Sequence, residues 1–178
     1  HVAQQLREKL GHNAIMMQIP IGREDGFEGV VDLIKMKAYY FLGSHGETLT
    51  EKEIPEELLE QAQEYRATML EAYSMFSDEM MELLLEEQEV PEELLHSTIR
   101  KAVIDRKATP VYVGSAFKNK GVHNLLDAIG SYLPSPLDRD YHAIDNSASS
   151  AEEEKLVSIK PDADLPLVAM AFKITEDT

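Results

Sequence analysis

Hydrophobic positions change period several times along this chain, and each change marks an element. Val2, Leu6 and Leu10 recur every four residues and are followed by Gly11. That spacing predicts the closing turns of a helix with a glycine stop. The apolar run Ala14-Ile15-Met16-Met17-Gln18-Ile19-Pro20 predicts one short buried strand. Residues 22–29 are turn-rich. Residues 30–34 and 36–42 are β-branched and aromatic and predict two strands; Gly43-Ser44-His45-Gly46 predicts a hairpin turn, and residues 48–54 the return strand.

The period then becomes helical. Pro55 and Pro91 each precede a Glu-Glu pair and an apolar pattern of helical spacing. This predicts proline at the first helical position, with carboxylates facing the positive end of the helix dipole. The first of these helices carries Leu58, Ala62, Tyr65, Met69 and Tyr73 on its inner face. The second, from Ser77-Asp78 to Gln88, carries Met80, Leu83 and Leu84. The third, from Pro91 to Arg106, carries Leu95, Ile99, Ala102 and Val103. Residues 109–113 predict a strand that enters the loop 114–121. A helix follows from Val122 with Leu125, Leu126, Ile129 and Leu133 expected inward, ended by Pro134-Ser135-Pro136. Residues 137–164 are rich in Ser, Asp and Glu and are expected to form a linker with little regular structure. Residues 165–174 alternate like a strand opening a further domain. No internal repeat is present.

Charge narrows the possible partners. The 178 residues include 17 basic and 33 acidic side chains, a net charge of −16. A surface that negative repels phosphate backbones and anionic lipid, so direct nucleic-acid binding is not expected of this chain. Residues 47–93 hold sixteen acidic and two basic side chains, a local balance of −14. On the first acidic helix Glu57, Glu60, Glu64 and Glu71 share a face opposite Leu58 and Tyr65. Either solvation or docking of a basic partner explains such a face. The absence of cysteine excludes a disulfide scaffold and a thiolate metal site or nucleophile. No apolar run is long enough to span a membrane. The first residues are polar and lack an initiator Met, and the last follow directly on a strand-like run; the chain is therefore expected to be a piece of a longer protein.

Candidate chemistry concentrates at Gly114-Ser115-Ala116-Phe117-Lys118-Asn119-Lys120-Gly121. In open α/β sheets ligands sit at the carboxyl ends of strands. Ser115 and Ala116 are small enough for close backbone approach, and an exposed N–H there would favour guanine O6 over an adenine amino group. The stem of Lys118 is long enough to cover a base. An ordinary strand-to-helix turn is the competing explanation of this segment. Asn119-Lys120-Gly121-Val122 begins like the guanine-reading Asn-Lys-x-Asp motif, but Val122 cannot accept base N–H groups. Lys120-Gly121 reverses the order a phosphate loop needs, and Gly22, Gly26 and Gly29 make none either. No histidine has a partner at metal-ligand spacing; the histidines are expected at the surface or at caps. No Gly-x-Ser-x-Gly is present. Neither catalytic nor metal-ligating residues are expected.

The same loop, with Leu125-Leu126-Asp127-Ala128 and Tyr132-Leu133-Pro134-Ser135-Pro136, closely resembles bacterial elongation factor G. Gln18-Ile19-Pro20-Ile21-Gly22 and Gly29-Val30-Val31-Asp32-Leu33-Ile34-Lys35-Met36-Lys37-Ala38 resemble the opening of the insertion in that family's GTPase domain. Ala169-Met170-Ala171-Phe172-Lys173-Ile174 is similar to the first strand of its second domain. The acidic helices are similar in number and order but diverge more.

The resemblance implies an α/β fold: an α+β insertion subdomain with three acidic helices and a small sheet, joined to the last strand and helix of a P-loop-type GTPase domain. It implies the end of a GTPase-domain helix at 1–12, the insertion at 13–108, the last strand, guanine loop and helix at 109–136, a linker at 137–164, and a following β domain from 165. It implies a GTPase that binds GTP or GDP with magnesium and drives ribosomal translocation of tRNA and mRNA. The phosphate loop would lie before His1, so this chain alone is expected to bind no nucleotide and to be inactive. Ser115, Ala116, Phe117 and Lys118 would contact guanine. Glu57, Glu60, Glu64 and Glu71 are the candidates for docking the large-subunit stalk protein of the ribosome. A cytoplasmic monomer without membrane contact is expected. A ribosomal-protection or release-type GTPase, or an acidic interaction module that meets no nucleotide, are the alternatives.

Overall fold

A computed structural model describes residues 2–43, 46–145 and 156–176. The chain divides into two compact units, residues 1–133 and 134–178.

The first unit opens with α1 (Val2–Leu10), which Gly11 ends at φ +65°. The apolar run that follows does not make one strand. Its first part is β1 (Ala14–Met16), its second β2 (Gln18–Ile21), and they belong to different sheets. Met17 is the junction. Its N–H donates to the Val111 carbonyl at 3.0 Å, and its own carbonyl accepts from Leu33 N–H at 3.1 Å. β1 pairs in parallel with β6 (Thr109–Val111), Ala14 opposite Thr109. β2 begins an antiparallel sheet in the order β2, β3 (Gly29–Asp32), β4 (Lys37–Leu42), β5 (Thr48–Lys52). The turn at Ser44 and His45 lies outside the described residues.

Three helices follow this sheet and share the main core with it: α2 (Glu56–Ser74), α3 (Asp78–Leu85) and α4 (Glu92–Ile104). Pro55 and Pro91 stand one step earlier than expected, as N-caps with ψ near 140°, and the glutamates fill the first turn. The fixed φ of proline suits a chain turning into a helix, while its extended ψ keeps it outside. Ser77 caps α3 by accepting from Met80 N–H at 3.3 Å. α2 buries Ala62, Met69 and Tyr73, but Tyr65, expected beside them, is exposed. At about 100° per residue Tyr65 sits roughly 60° off their common line, past the edge of the covered face. The main core joins Met17, Leu33, Met69, Tyr73, Met80, Leu95 and Ile99. A separate small cluster holds Phe27, Val30, Tyr39 and Phe41, with Val113 packed against it.

β6 leads through the loop to α5 (Val122–Tyr132). The expected inward face is corrected here: Leu125, Leu126, Ile129 and Leu133 are exposed, and Ala128 and Tyr132 are buried. Apolar spacing marks a face of a helix, but only packing neighbours decide which strip is covered. Within this unit α4 meets the strip that carries Tyr132. His96 also departs from expectation. It is half-buried on α4, with Nδ1 2.6 Å from the Tyr132 hydroxyl and its ring stacked on that tyrosine.

The second unit opens with a 3-10 turn, Pro136–Asp138, closed by a capping box in which Ser135 and Asp138 bond reciprocally. Residues 137–164, expected irregular, contain an antiparallel pair, β7 (Tyr141–Ile144) and β8 (Leu156–Ile159). Apolar residues at Tyr141, Ile144, Leu156 and Val157 supply strand character inside a polar stretch. The strand expected at 165–174 is absent. These residues are extended in sequence pattern but exposed, and they pair with no other strand among the described residues. A strand exists only through its ladder, so alternation alone does not make one.

Candidate functional site

The loop between β6 and α5 is built by two facing glycines and one small ladder. Val113 N–H donates to the Oε1 of buried Gln18 at 3.3 Å, which anchors the chain as it leaves β6. Ser115 N–H donates to the Lys120 carbonyl at 2.8 Å, and Lys120 N–H returns to the Ser115 carbonyl at 3.0 Å. Inside this clasp Asn119 N–H donates to the Ala116 carbonyl at 3.1 Å, with Asn119 at φ +50°. Ser115 Oγ accepts from Lys118 N–H at 3.4 Å. Gly121, at φ +79°, turns the chain into α5. A Cβ there would lie 2.6 Å from the Val113 carbonyl oxygen, so only glycine closes the loop without displacing backbone.

This geometry separates the four residues expected to contact a base. The Ser115 amide is committed to Lys120, so it is not a free donor. Ala116 N–H has no acceptor among the described residues, and Ala116 is exposed. Phe117 is 99% exposed, so its ring is left bare by the described residues. Lys118 Nζ lies 3.3 Å from the carboxylate of Asp25, on the 3-10 turn Glu24–Gly26. The loop borders a shallow cavity of about 290 Å³ that also touches Tyr112 and Leu125.

Two supporting residues were given no role from the sequence. Lys120 Nζ donates to the Phe27 carbonyl at 2.6 Å, across 93 positions of sequence. Gln18 is buried in an otherwise apolar run. A polar residue amid Ile15, Met16, Met17 and Ile19 was the available signal, because a buried amide needs a partner.

The acidic face stands as spacing implied. Glu57, Glu60, Glu64 and Glu71 are all exposed on α2. They fall within about 60° of arc, pointing away from Ala62, Met69 and Tyr73. None of the four pairs with a basic side chain among the described residues. Glu64 also borders a groove of about 860 Å³ between α1 and α2. The basic group there is spent: Arg7 donates through Nε and Nη2 to the Ala14 carbonyl, at 2.8 and 2.6 Å.

Tyrosines behind the loop are held neutral. Burial pushes Tyr132 up to about 12 and raises Tyr112 and Tyr73 further. Asp32 accepts from Ile34 and Lys35 N–H at 2.8 and 3.0 Å, yet burial outweighs those bonds and lifts its carboxyl above the ordinary range. Among the described residues no three His, Asp or Glu side chains gather as a metal site, and no helix is long and apolar enough to cross a membrane.

None of the protein-family profiles compared matches the chain. Individual relatives do. Elongation factor G of Rhodopirellula baltica is 53% identical over 176 residues, 99% of this chain and 25% of its own length. Elongation factor G 1 of Borreliella afzelii is 50% identical over 177 residues, with the same coverage. Elongation factor G 2 of Anaeromyxobacter dehalogenans is 46% identical over 98% of this chain and 24% of its own. A Thermus thermophilus crystal structure superposes with a TM-score of 0.66 at 30% identity, covering 78% of this chain and 21% of the other. The chain thus spans about a quarter of the length of the curated relatives it matches. Identity near one half across almost every residue makes this chain similar, along nearly its whole length, to one stretch of elongation factor G.

Proposed function

We propose that this chain serves as the insertion and guanine-contacting part of a GTPase that drives ribosomal translocation of tRNA and mRNA in the cytoplasm. The observation that carries the base contact is the Ala116 amide: exposed, without an acceptor among the described residues, at the carboxyl end of a strand. Guanine O6 accepts from such an N–H, whereas the adenine amino group would oppose donor to donor. Phe117 and Lys118 flank the amide and would cover the base once it is seated. The triphosphate and its magnesium need a phosphate loop, and no stretch of this sequence supplies one. The chain's own part is therefore base selection rather than hydrolysis. The acidic face of α2 is the proposed dock for the stalk protein; its charge suits a basic partner, not nucleic acid.

The test uses a full-length factor containing this chain. Ala116→Pro removes the donor N–H and should weaken GDP and GTP together, by about tenfold or more, as for a lost hydrogen bond that leaves a partner unpaired. Unchanged affinity in a folded variant would mean that the amide does not read the base.

A further inference from the structure

We propose that the insertion sheet braces the base-contacting loop, with Lys120 as the positioning residue; this rests on the guanine-contact reading above. The loop is held internally by the small clasp between Ser115 and Lys120 and the two short bonds within it, and its tip is exposed. Its remaining support comes from chain some 70–95 residues away. Lys120 Nζ donates to the Phe27 carbonyl at 2.6 Å. Lys118 Nζ reaches Asp25 at 3.3 Å on the same turn. Gly46, beyond β4, lies so close that a Cβ would meet the Asn119 carbonyl oxygen at 2.9 Å and the Lys118 carbonyl oxygen at 3.2 Å.

The Phe27 end of the brace is itself fixed. Its ring packs 6.1 Å from Phe41 in the small apolar cluster that also receives Val113, the residue just before the loop. The cluster around Phe27 thus meets the loop at both of its roots: Val113 packs against it on one side, and Lys120 bonds the Phe27 carbonyl on the other. The Lys118–Asp25 tie contributes little, because that carboxylate is fully exposed and screened. The Lys120 bond is charge-assisted and half-buried, so it carries the brace. It keeps the Lys120 backbone, and through the clasp the Ser115–Ala116 peptide, where the Ala116 N–H can meet O6.

Cutting the brace leaves the contact residues intact but lowers the fraction of molecules with the loop in its binding geometry. Apparent dissociation constants rise as the reciprocal of that fraction. In the full-length factor, Lys120→Met, which keeps the stem and loses the ammonium, should weaken GDP about three- to tenfold. The comparison ligand is 2-aminopurine riboside diphosphate, which lacks O6 and so gains nothing from the Ala116 amide. Its affinity should stay nearly unchanged in the same variant, whereas general damage would weaken both ligands. Lys120→Gln, too short to reach Phe27, is read by the same two affinities if the Met variant fails to fold. If the parent discriminates between the two ligands and the folded Lys120 variant discriminates equally well, the brace is refuted while the guanine contact stands. If the parent itself binds both ligands alike, the guanine contact fails and the brace with it.

Discussion

Replacing Gly121 with alanine tests how tightly the loop is closed. Gly121 sits at φ +79°, where an L side chain costs about 1–2 kcal/mol. The added Cβ would also lie 2.6 Å from the Val113 carbonyl oxygen and 3.1 Å from Gly114 Cα. Both are backbone atoms, and Val113 is held by Gln18 and by the small apolar cluster. Relief needs a shift of several tenths of an ångström in a segment anchored at both ends, an overpacking cost of about 1–3 kcal/mol. Stiffening the unfolded chain returns about 0.4–1 kcal/mol. The net destabilisation should be about 2–4 kcal/mol. Gly11 supplies the control: its φ is +65°, but a Cβ there meets nothing within 4 Å. Gly11→Ala should cost about 1 kcal/mol or less. Asparagine separates the two terms further, because it tolerates the left-handed region. Gly11→Asn should be nearly neutral, and Gly121→Asn should retain most of the clash. Urea unfolding of the four variants, compared by midpoint at a common slope, gives the numbers. Equal losses at positions 11 and 121 would refute the close contact with Val113.

Two more outcomes are expected. Asp32 binds its proton more tightly folded than unfolded, because burial raises its carboxyl above 3.8. The stability this group contributes is therefore present at acid pH and is lost as pH rises through the folded value, by up to about 1.4 kcal/mol per unit. Asp32→Asn keeps the acceptor oxygen without the charge, so its stability relative to the parent should improve between pH 4 and pH 7; a constant difference in urea midpoints would contradict this. Reversing charge on α2 with Glu60→Lys and Glu64→Lys should slow association with a basic stalk domain at low salt. The effect should fade beyond about 0.15 M, where screening acts over roughly 8 Å, and equal association rates at low salt would reduce the acidic face to solvation.

Legibility in the sequence followed the range of the interactions involved. The α2, α3 and α4 helices were readable because their caps and apolar spacing are local: Ser77 bonds three residues on, and Ala62, Met69 and Tyr73 lie on one line. The run from Ala14 to Pro20 looked like one strand because nothing local says that Met17 changes partners from Val111 to Leu33. The apolar residues of α5 were visible, but burial of Ala128 and Tyr132 instead of Leu125 and Ile129 depends on which neighbours arrive. The strand pattern at 165–174 found no ladder, whereas the pair β7 and β8 formed within a stretch whose composition suggested a linker. At the loop, the small residues were legible. That Ser115 spends its amide on Lys120, and that Lys120 reaches Phe27, involves contacts no spacing encodes.

The parallel pairing of β1 with β6 gives the region between them an architectural duty. Parallel neighbours cannot be joined by a tight hairpin; the chain must travel back along the full strand, which takes a dozen residues or more. Here the return path is everything after Met16 and before Thr109, a four-stranded sheet with three helices. The body between the two strands is thus an overgrown crossover connection, not an ornament hung from a turn. Length can vary within it at little topological cost, but it cannot be excised and closed with a short loop. Any minimal version would have to retain a bridging segment, or the β1–β6 pair would be left without the geometry that forms it.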